Sequence, residues 1–329
     1  MMEFISLLEQ NLWVYLGLVT IVSLALGSVL NVVIYRLPLM MEAEWREQCH
    51  ELLELEAEPS RSKPLSLAFP ASSCPNCGHK IRVWENIPVL GFILLGGKCS
   101  NCKQPISLEY PVVEAVTAIL SVSIAYHFGF GWQTLLGLVL TWSLIALTMI
   151  DFHKQLLPDS ITLPLMWLGL ISAIFNVYVD LESAVIGAIA GYLSLWTVYQ
   201  VFKLATGKEG MGFGDFKLLA ALGAWMGWKM LPMIILLSSA VGAVIGIALI
   251  IFTKHDKRVP IPFGPYLAIA GWIAFIWGEE ITRIWLGPFL PCLSLASPAA
   301  SVAENHWLQV CSRRSACRLS TPTYWPGSL

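Results

Sequence analysis

Long apolar runs separated by short polar segments dominate this chain. A helix that crosses a bilayer core about 30 Å thick needs roughly 20 apolar residues. Runs that meet or approach that length lie near 12–35, 113–129, 132–150, 161–179, 183–204, 215–228, 231–252 and 262–285. The pattern predicts an all-α polytopic membrane protein with about eight transmembrane helices. The sixth run is short and glycine-rich, which leaves seven open. The first 11 residues carry no Lys or Arg and the first apolar run is long enough to span. Residues 1–36 are therefore expected to be retained as an N-terminal transmembrane anchor helix rather than removed as a signal peptide.

Composition agrees. Apolar residues make up 56% of the 329 and charged residues only 13%, against about 25% charged in a typical soluble chain. Mean hydropathy is +0.68. An ordinary soluble enzyme, a disordered chain and a secreted disulfide scaffold are excluded. A net charge of −2 gives no basic footprint for nucleic acid, so the expected surroundings are a lipid bilayer and no nucleic acid.

Lys and Arg concentrate in alternate loops. Arg36, Arg46, Arg61, Lys63, Lys80, Arg82, Lys98 and Lys103 fall in 36–112, Lys154 in 151–160, Lys208 in 205–214, and Lys254, Lys257 and Arg258 in 253–261. The opposite loops hold only Lys229. By the positive-inside rule these four loops face the cytoplasm and the N-terminus lies outside.

One long polar interruption, 37–111, forms the expected cytoplasmic insertion. Seven glutamates between Met41 and Glu58 read as the solvated face of a helix that stops before Pro59. Further on, Cys74-Pro-Asn-Cys77 and Cys99-Ser-Asn-Cys102 are two C-x-x-C knuckles. Each can present two thiolates from one tight turn, and together they make a tetrahedral four-sulfur set for structural zinc. A redox dithiol pair and disulfides are the competing readings. A reducing cytoplasmic setting argues against disulfides. Cys49, Cys292, Cys311 and Cys317 have no partner spacing and read as bystanders.

The chain contains five aspartates, Asp151, Asp159, Asp180, Asp215 and Asp256. Asp151 ends an apolar run, and Asp215 closes Gly212-Phe213-Gly214-Asp215 before the short sixth span. Two carboxylates brought together share a proton, so one can act as base toward water while the other acts as acid. The alternative is helix capping. Asp159, just before Ser160-Ile161-Thr162, fits a cap well. Asp180 and Asp256 lie in loops and are weak catalytic candidates.

Across about residues 20–278 these features resemble the type IV prepilin peptidases, bifunctional leader peptidases and N-methyltransferases of bacterial pilus and type II secretion systems. The resemblance rests on Gly27-Ser-Val-Leu-Asn-Val-Val-Ile-Tyr-Arg-Leu-Pro38, the two knuckles, Glu85-Asn-Ile-Pro88, Leu95-Gly-Gly-Lys-Cys99 and Tyr110-Pro-Val-Val-Glu114. It continues through Asp151 to Asp159, Gly212 to Asp215, and Pro262-Phe-Gly-Pro265. It implies an aspartyl peptidase of the bacterial inner membrane, with Asp151 and Asp215 as the catalytic pair at the cytoplasmic face. Such an enzyme removes the short basic leader of prepilins and pseudopilins, usually between Gly and Phe. It then methylates the new N-terminal amine with S-adenosylmethionine. The methyl transfer is associated with the 37–111 insertion, where Gly97 matches a position linked to it, although no soluble-type cofactor fingerprint is present. A plain turn into Cys99 is the other reading of Gly96-Gly97. The multi-helix peptidase domain would then be 112–286. The Ser- and Pro-rich segment 287–329 departs from the family and reads as a disordered tail without an assigned role. The readings that compete with a peptidase are a transporter carrying a zinc module, with the two aspartates as ion carriers, and a non-enzymatic scaffold.

Overall fold

The computed structural model describes residues 2–53, 66–253 and 262–286. The tail 287–329, the loop that holds Asp256, and the end of the Glu-rich segment lie outside them. The chain divides into two units, 1–279 and 280–329, and of the second only the end of one helix is described.

Ten α-helices follow one another among the described residues: α1 (Met2–Gln10), α2 (Leu12–Leu52), α3 (Leu90–Leu94), α4 (Glu109–Phe128), α5 (Trp132–Lys154), α6 (Asp159–Ile174), α7 (Leu181–Thr206), α8 (Phe213–Met226), α9 (Leu231–Thr253) and α10 (Gly264–Leu286). Short 3₁₀ turns occupy Val83–Asn86 and Trp228–Met230. The described residues form no named strand. Two isolated β-bridges, Ser73 to Lys80 and Lys98 to Pro105, lie in the insertion.

A helix overlies each of the eight apolar runs. Among the described residues, five stretches are long and apolar enough to cross a membrane: Leu12–Leu52, Glu109–Phe128, Trp132–Lys154, Leu181–Thr206 and Trp228–Ala248. The fourth run gives a shorter helix than expected. α6 stops at Ile174 because Phe175 caps it and Asn176 turns into a left-handed conformation at φ 50°. At 16 and 14 residues, α6 and α8 reach only about 24 and 21 Å at 1.5 Å per residue.

The helix of the first apolar run also differs from expectation. α2 does not stop at the polar boundary but continues through Pro38 into the Glu-rich segment. Its N-cap is Asn11, whose side chain accepts the Val14 N–H at 3.3 Å. Its buried residues Tyr15, Val19, Ser23, Gly27, Asn31 and Ile34 recur at near-helical spacing and form one stripe. Gly27 brings α2 hard against α4, where an added Cβ would stand 2.8 Å from Glu114 Cα. Beyond Pro38, Glu42 bonds Lys154 at the end of α5 at 2.8 Å, and Glu109 and His153 pair at 3.3 Å. These pairs form a charged belt at one end of the α2, α4 and α5 group.

The core is built around α8, where Asp215, Phe216 and Leu218 through Met226 are all buried. A helix apolar on every side must be enclosed by others. Glycines on its neighbours let them approach. The backbones of Gly187 on α7 and Gly223 on α8 meet directly, and a Cβ on Gly191 would stand 2.6 Å from the Leu219 carbonyl. From α6, Gly169 lies against the Trp225 indole, whose N–H donates to the Leu165 carbonyl at 2.8 Å. From α10, Gly271 lies against Leu222. This packing fixes the start of α8, and with it Asp215.

Candidate active site and metal centre

Asp151 sits in the last turn of α5. Its carbonyl accepts the N–H of Gln155, which ends the helix in a left-handed conformation at φ 52°. Asp215 is the third residue of α8, at the helix end where unpaired backbone N–H groups favour negative charge. Both side chains are buried, at 6% and 7% exposure. Asp151 Oδ2 and Asp215 Oδ1 each lack a hydrogen-bond partner. Buried carboxylate oxygens are normally satisfied, so a pair left open calls for a reason.

Two glycines and one leucine bring these ends together. A Cβ on Gly214 would stand 2.6 Å from Leu157 Cβ, and one on Gly264 would stand 3.2 Å from Leu157 Cδ1 and 2.6 Å from Asp151 Oδ2. The end of α5, the α5–α6 loop and the starts of α8 and α10 thus converge on one point. Asp151 meets Gly264, Gly264 meets Leu157, and Leu157 meets Gly214, the residue before Asp215. Gly264 belongs to the Pro262–Pro265 motif, which had no task in the sequence reading. Its lack of a side chain keeps the space beside Asp151 Oδ2 open.

Asp159 is placed differently from the capping expectation. It is the first residue of α6 and makes no side-chain cap bond. Its carboxylate instead takes Lys217 of α8, with Nζ 2.7 Å from each oxygen. Asp180 is the true cap of this set. Its carboxylate accepts the Ser183 N–H at 2.8 Å at the start of α7, a bond that also holds its pKa below the ordinary value.

The insertion gathers the four predicted sulfurs. The Sγ atoms of Cys74, Cys77, Cys99 and Cys102 all lie within 4.8 Å of one another. Cys74 to Cys102 is 3.8 Å and Cys77 to Cys99 is 3.9 Å. All four cysteines are free, so no disulfide joins them. Tetrahedral Zn–S bonds of about 2.3 Å require sulfurs roughly 3.8 Å apart, so the set fits a metal ion of that size.

The two knuckles repeat one design. Cys74 N–H donates to the His79 carbonyl and Gly78 N–H to the Cys74 carbonyl, both at 2.9 Å. Cys99 N–H donates to the Gln104 carbonyl at 2.8 Å and Lys103 N–H to the Cys99 carbonyl at 3.1 Å. The turn residue has positive φ each time, at Gly78 and at Lys103. Backbone N–H groups of His79 and Gln104 hold the Cys77 and Cys102 thiols below their usual pKa, which favours the metal-binding thiolate. Glu85 braces the cluster from outside. It accepts the Arg82 N–H at 3.0 Å, which is the main cause of its lowered pKa, and it pairs with His79 at 3.4 Å.

Gly97 stands beside this centre at φ 68°, after Gly96 at φ 61°. Its N–H donates to the Phe92 carbonyl at 2.9 Å and its carbonyl accepts the Ile106 N–H at 2.8 Å. An added Cβ would stand 2.9 Å from the tip of the Phe92 ring. The position is a tight packed turn.

Comparisons with known proteins show which family the chain resembles. The profile described as the bacterial peptidase A24 N-terminal domain matches residues 21–128, and that of the type IV leader peptidase family matches residues 138–247. A Pseudomonas aeruginosa protein named prepilin leader peptidase/N-methyltransferase is 55% identical over 266 residues, covering 81% of this chain and 91% of the relative. Proteins of the same name from Stutzerimonas stutzeri and Aeromonas hydrophila are 54% and 55% identical, covering 86% and 84% of this chain and 97% and 96% of theirs. No solved structure matches. The segment with Asp151 and Asp215 lies in the second matched region and the four sulfurs in the first, and on identity and coverage alike the chain belongs to the type IV leader peptidase family.

Proposed function

We propose that this protein is a prepilin leader peptidase and N-methyltransferase of the bacterial inner membrane, and that Asp151 and Asp215 are its catalytic pair. The observation that carries the proposal is the convergence of these two buried carboxylates, each with one unpartnered oxygen, at the meeting of α5, α8 and α10. The names of the relatives favour a peptidase over a carrier or a scaffold.

One carboxylate enters the reaction ionised and the other protonated. The ionised one takes a proton from water as the water oxygen bonds the scissile carbonyl carbon. The protonated one gives its proton to the carbonyl oxygen; as the C–N bond breaks, the proton gained from water goes to the leaving nitrogen, and one hydroxyl proton of the collapsing intermediate returns to the carboxylate that had donated. The products are the free leader and a mature pilin or pseudopilin with a new N-terminal amine. The same reading places the helices of the eight apolar runs, α2 and α4 through α10, in the bilayer, with 1–36 as anchor, 37–111 as the methyltransferase-associated cytoplasmic insertion and 112–286 as the peptidase domain. The charged belt at Glu42, Lys154, His153 and Glu109, one turn beyond Asp151, supports putting the reaction at the inner interface.

Zinc held by Cys74, Cys77, Cys99 and Cys102 would staple the insertion. Four sulfurs close its coordination, so its contribution is to folding rather than to chemistry. S-adenosylmethionine would supply the methyl group, with Gly97 acting through the shape of its turn. The test is to incubate detergent-purified protein with a prepilin-like substrate and weigh the product. Loss of the leader and gain of a methyl group are expected from the wild-type chain, whereas cleavage that persists in Asp151→Asn or Asp215→Asn would overturn the catalytic assignment.

A further inference from the structure

The segment Val83–Leu94 joins the zinc cluster to the helices, and its polarity is inverted for a soluble loop. Its two polar side chains are both engaged by other parts of the protein, Glu85 in a largely buried position and Asn86 at the surface. Glu85 bonds Arg82 and His79, and Asn86 Nδ2 donates to Ser28 Oγ on α2 at 3.3 Å. Its apolar side chains turn outward. Val83 is 85% exposed, Trp84 61%, Leu90 57%, Ile93 64% and Leu94 78%.

The docking points give the depth of this segment. Ser28 lies eight residues before Arg36 on α2, about 12 Å further along the helix. Arg36 belongs to the polar end, for its buried guanidinium donates to the carbonyls of Ser66, Leu67 and Pro70 at 2.6–3.2 Å. On α4 the buried Glu114 accepts the Val89 N–H at 2.8 Å. Glu114 is five residues beyond Glu109 of the charged belt, about 7.5 Å inward. Both helices therefore receive the segment on the apolar side of their charged ends.

The grip is firm enough to hold a costly backbone. Val89 has φ 61° and ψ −49°. Leu90 N–H donates back to the Pro88 carbonyl at 2.6 Å, closing a γ-turn of the strained kind. A β-branched residue keeps positive φ only where its surroundings over-determine it. Here the Glu114 carboxylate does so. Trp84 adds an amphipathic ring with the Arg82 guanidinium 5.4 Å from its centre, a pairing suited to the headgroup level.

We infer that Val83–Leu94 is an interfacial membrane element, seated in the lipid leaflet against α2 and α4, with lipid acyl chains covering Val83, Trp84, Leu90, Ile93 and Leu94. The insertion is then a module half-sunk in the bilayer, contrary to the soluble loop its polarity suggested. This rests on the reading that α2 and α4 cross the membrane.

The experiment places a benzophenone amino acid at one position of the full chain, reconstitutes the protein in phosphatidylglycerol–phosphatidylethanolamine vesicles, irradiates and weighs the product. Probes at Leu94 and at Ile93 should gain the mass of one phospholipid, as should a probe at Ile21, an exposed position within the apolar run 12–35 of α2. A probe at the exposed knuckle residue Lys103 should not. If Ile21 takes lipid while Leu94 and Ile93 stay at the Lys103 level, the interfacial seat is wrong and the span stands. If Leu94 and Ile93 take a second copy of the chain in place of lipid, the face is a protein interface and the inference is overturned. If Ile21 itself takes no lipid, the span reading fails and the inference with it.

Discussion

Lys217 Nζ bonds both carboxylate oxygens of Asp159 at 2.7 Å, tying the first residue of α6 to α8 two residues beyond Asp215. The pair is partly solvated, with side-chain exposures of 29% for Lys217 and 54% for Asp159. An ion pair of that exposure contributes about 1 kcal/mol or less. Asp159 is thus a brace at the rim of the site, whereas Asp151 and Asp215 are buried within it.

A graded response to amide substitution follows. Asp151→Asn and Asp215→Asn should each abolish leader cleavage, because either change removes one of the two proton-transfer roles. Asp159→Asn should keep most of the rate, losing only the brace. Leader loss measured by mass on the three purified variants tests this. Equal loss at all three would leave Asp151 and Asp215 without their special status.

The metal site should be stoichiometric. Purified protein is expected to carry one zinc per chain, through Cys74, Cys77, Cys99 and Cys102. Replacing Cys77 and Cys102 with Ser should release it and open the insertion to limited proteolysis, because metal binding and folding are coupled in such knuckles. Metal analysis that found no zinc in protein with intact thiols would refute the assignment.

Two glycines should differ in sign. In Gly223→Ala the new methyl meets the Gly187 backbone of α7, and neither helix can yield without moving the start of α8. Overpacking of that kind costs about 1–3 kcal/mol. Gly17 on α2 has open space around its Cα. Gly17→Ala should be neutral or stabilising, since Ala exceeds Gly by up to about 1 kcal/mol in a helix interior. Thermal unfolding in detergent should give opposite or clearly unequal shifts. A Gly223→Ala protein as stable as wild type would contradict the close α7–α8 contact.

The helices were legible because membrane spans leave long apolar runs. Local rules failed where tertiary contacts outweighed them. Pro38 should have ended α2, yet the helix runs on, its far side held by the Glu42–Lys154 bond. Asp159 looked like a cap because a Ser and a Thr follow it, but its partner Lys217 is 58 residues away. Asp151 and Asp215 stood out by their rarity and neighbours. That they converge beside Leu157 and Gly264 depends on how α8 is enclosed, and that had no local signature. The cysteines were read from spacing alone because a knuckle is a local structure. The outward apolar face of Val83–Leu94 went unread, since twelve residues are too few to register as a span.

Gly97 is the position at which the proposed partition of the two activities can be tested. Its φ of 68° suits glycine, and any Cβ there strikes Phe92. Gly96, at φ 61°, shares the left-handed conformation but faces open space. Asn tolerates that conformation better than other side chains. Gly96→Asn should therefore be mild. Gly97→Val adds a β-branched side chain both to a forbidden backbone and to an occupied space. It should displace Phe92 and distort the turn that leads into Cys99, while Asp151 and Asp215 lie on other elements. Weighing processed pilin resolves the methyl group from the lost leader in a single measurement. Gly97→Val should give leader-free, unmethylated pilin, and Gly96→Asn should give mostly methylated product. If Gly97→Val methylates normally, or if cleavage fails with it, the insertion and the peptidase site are not separable as proposed.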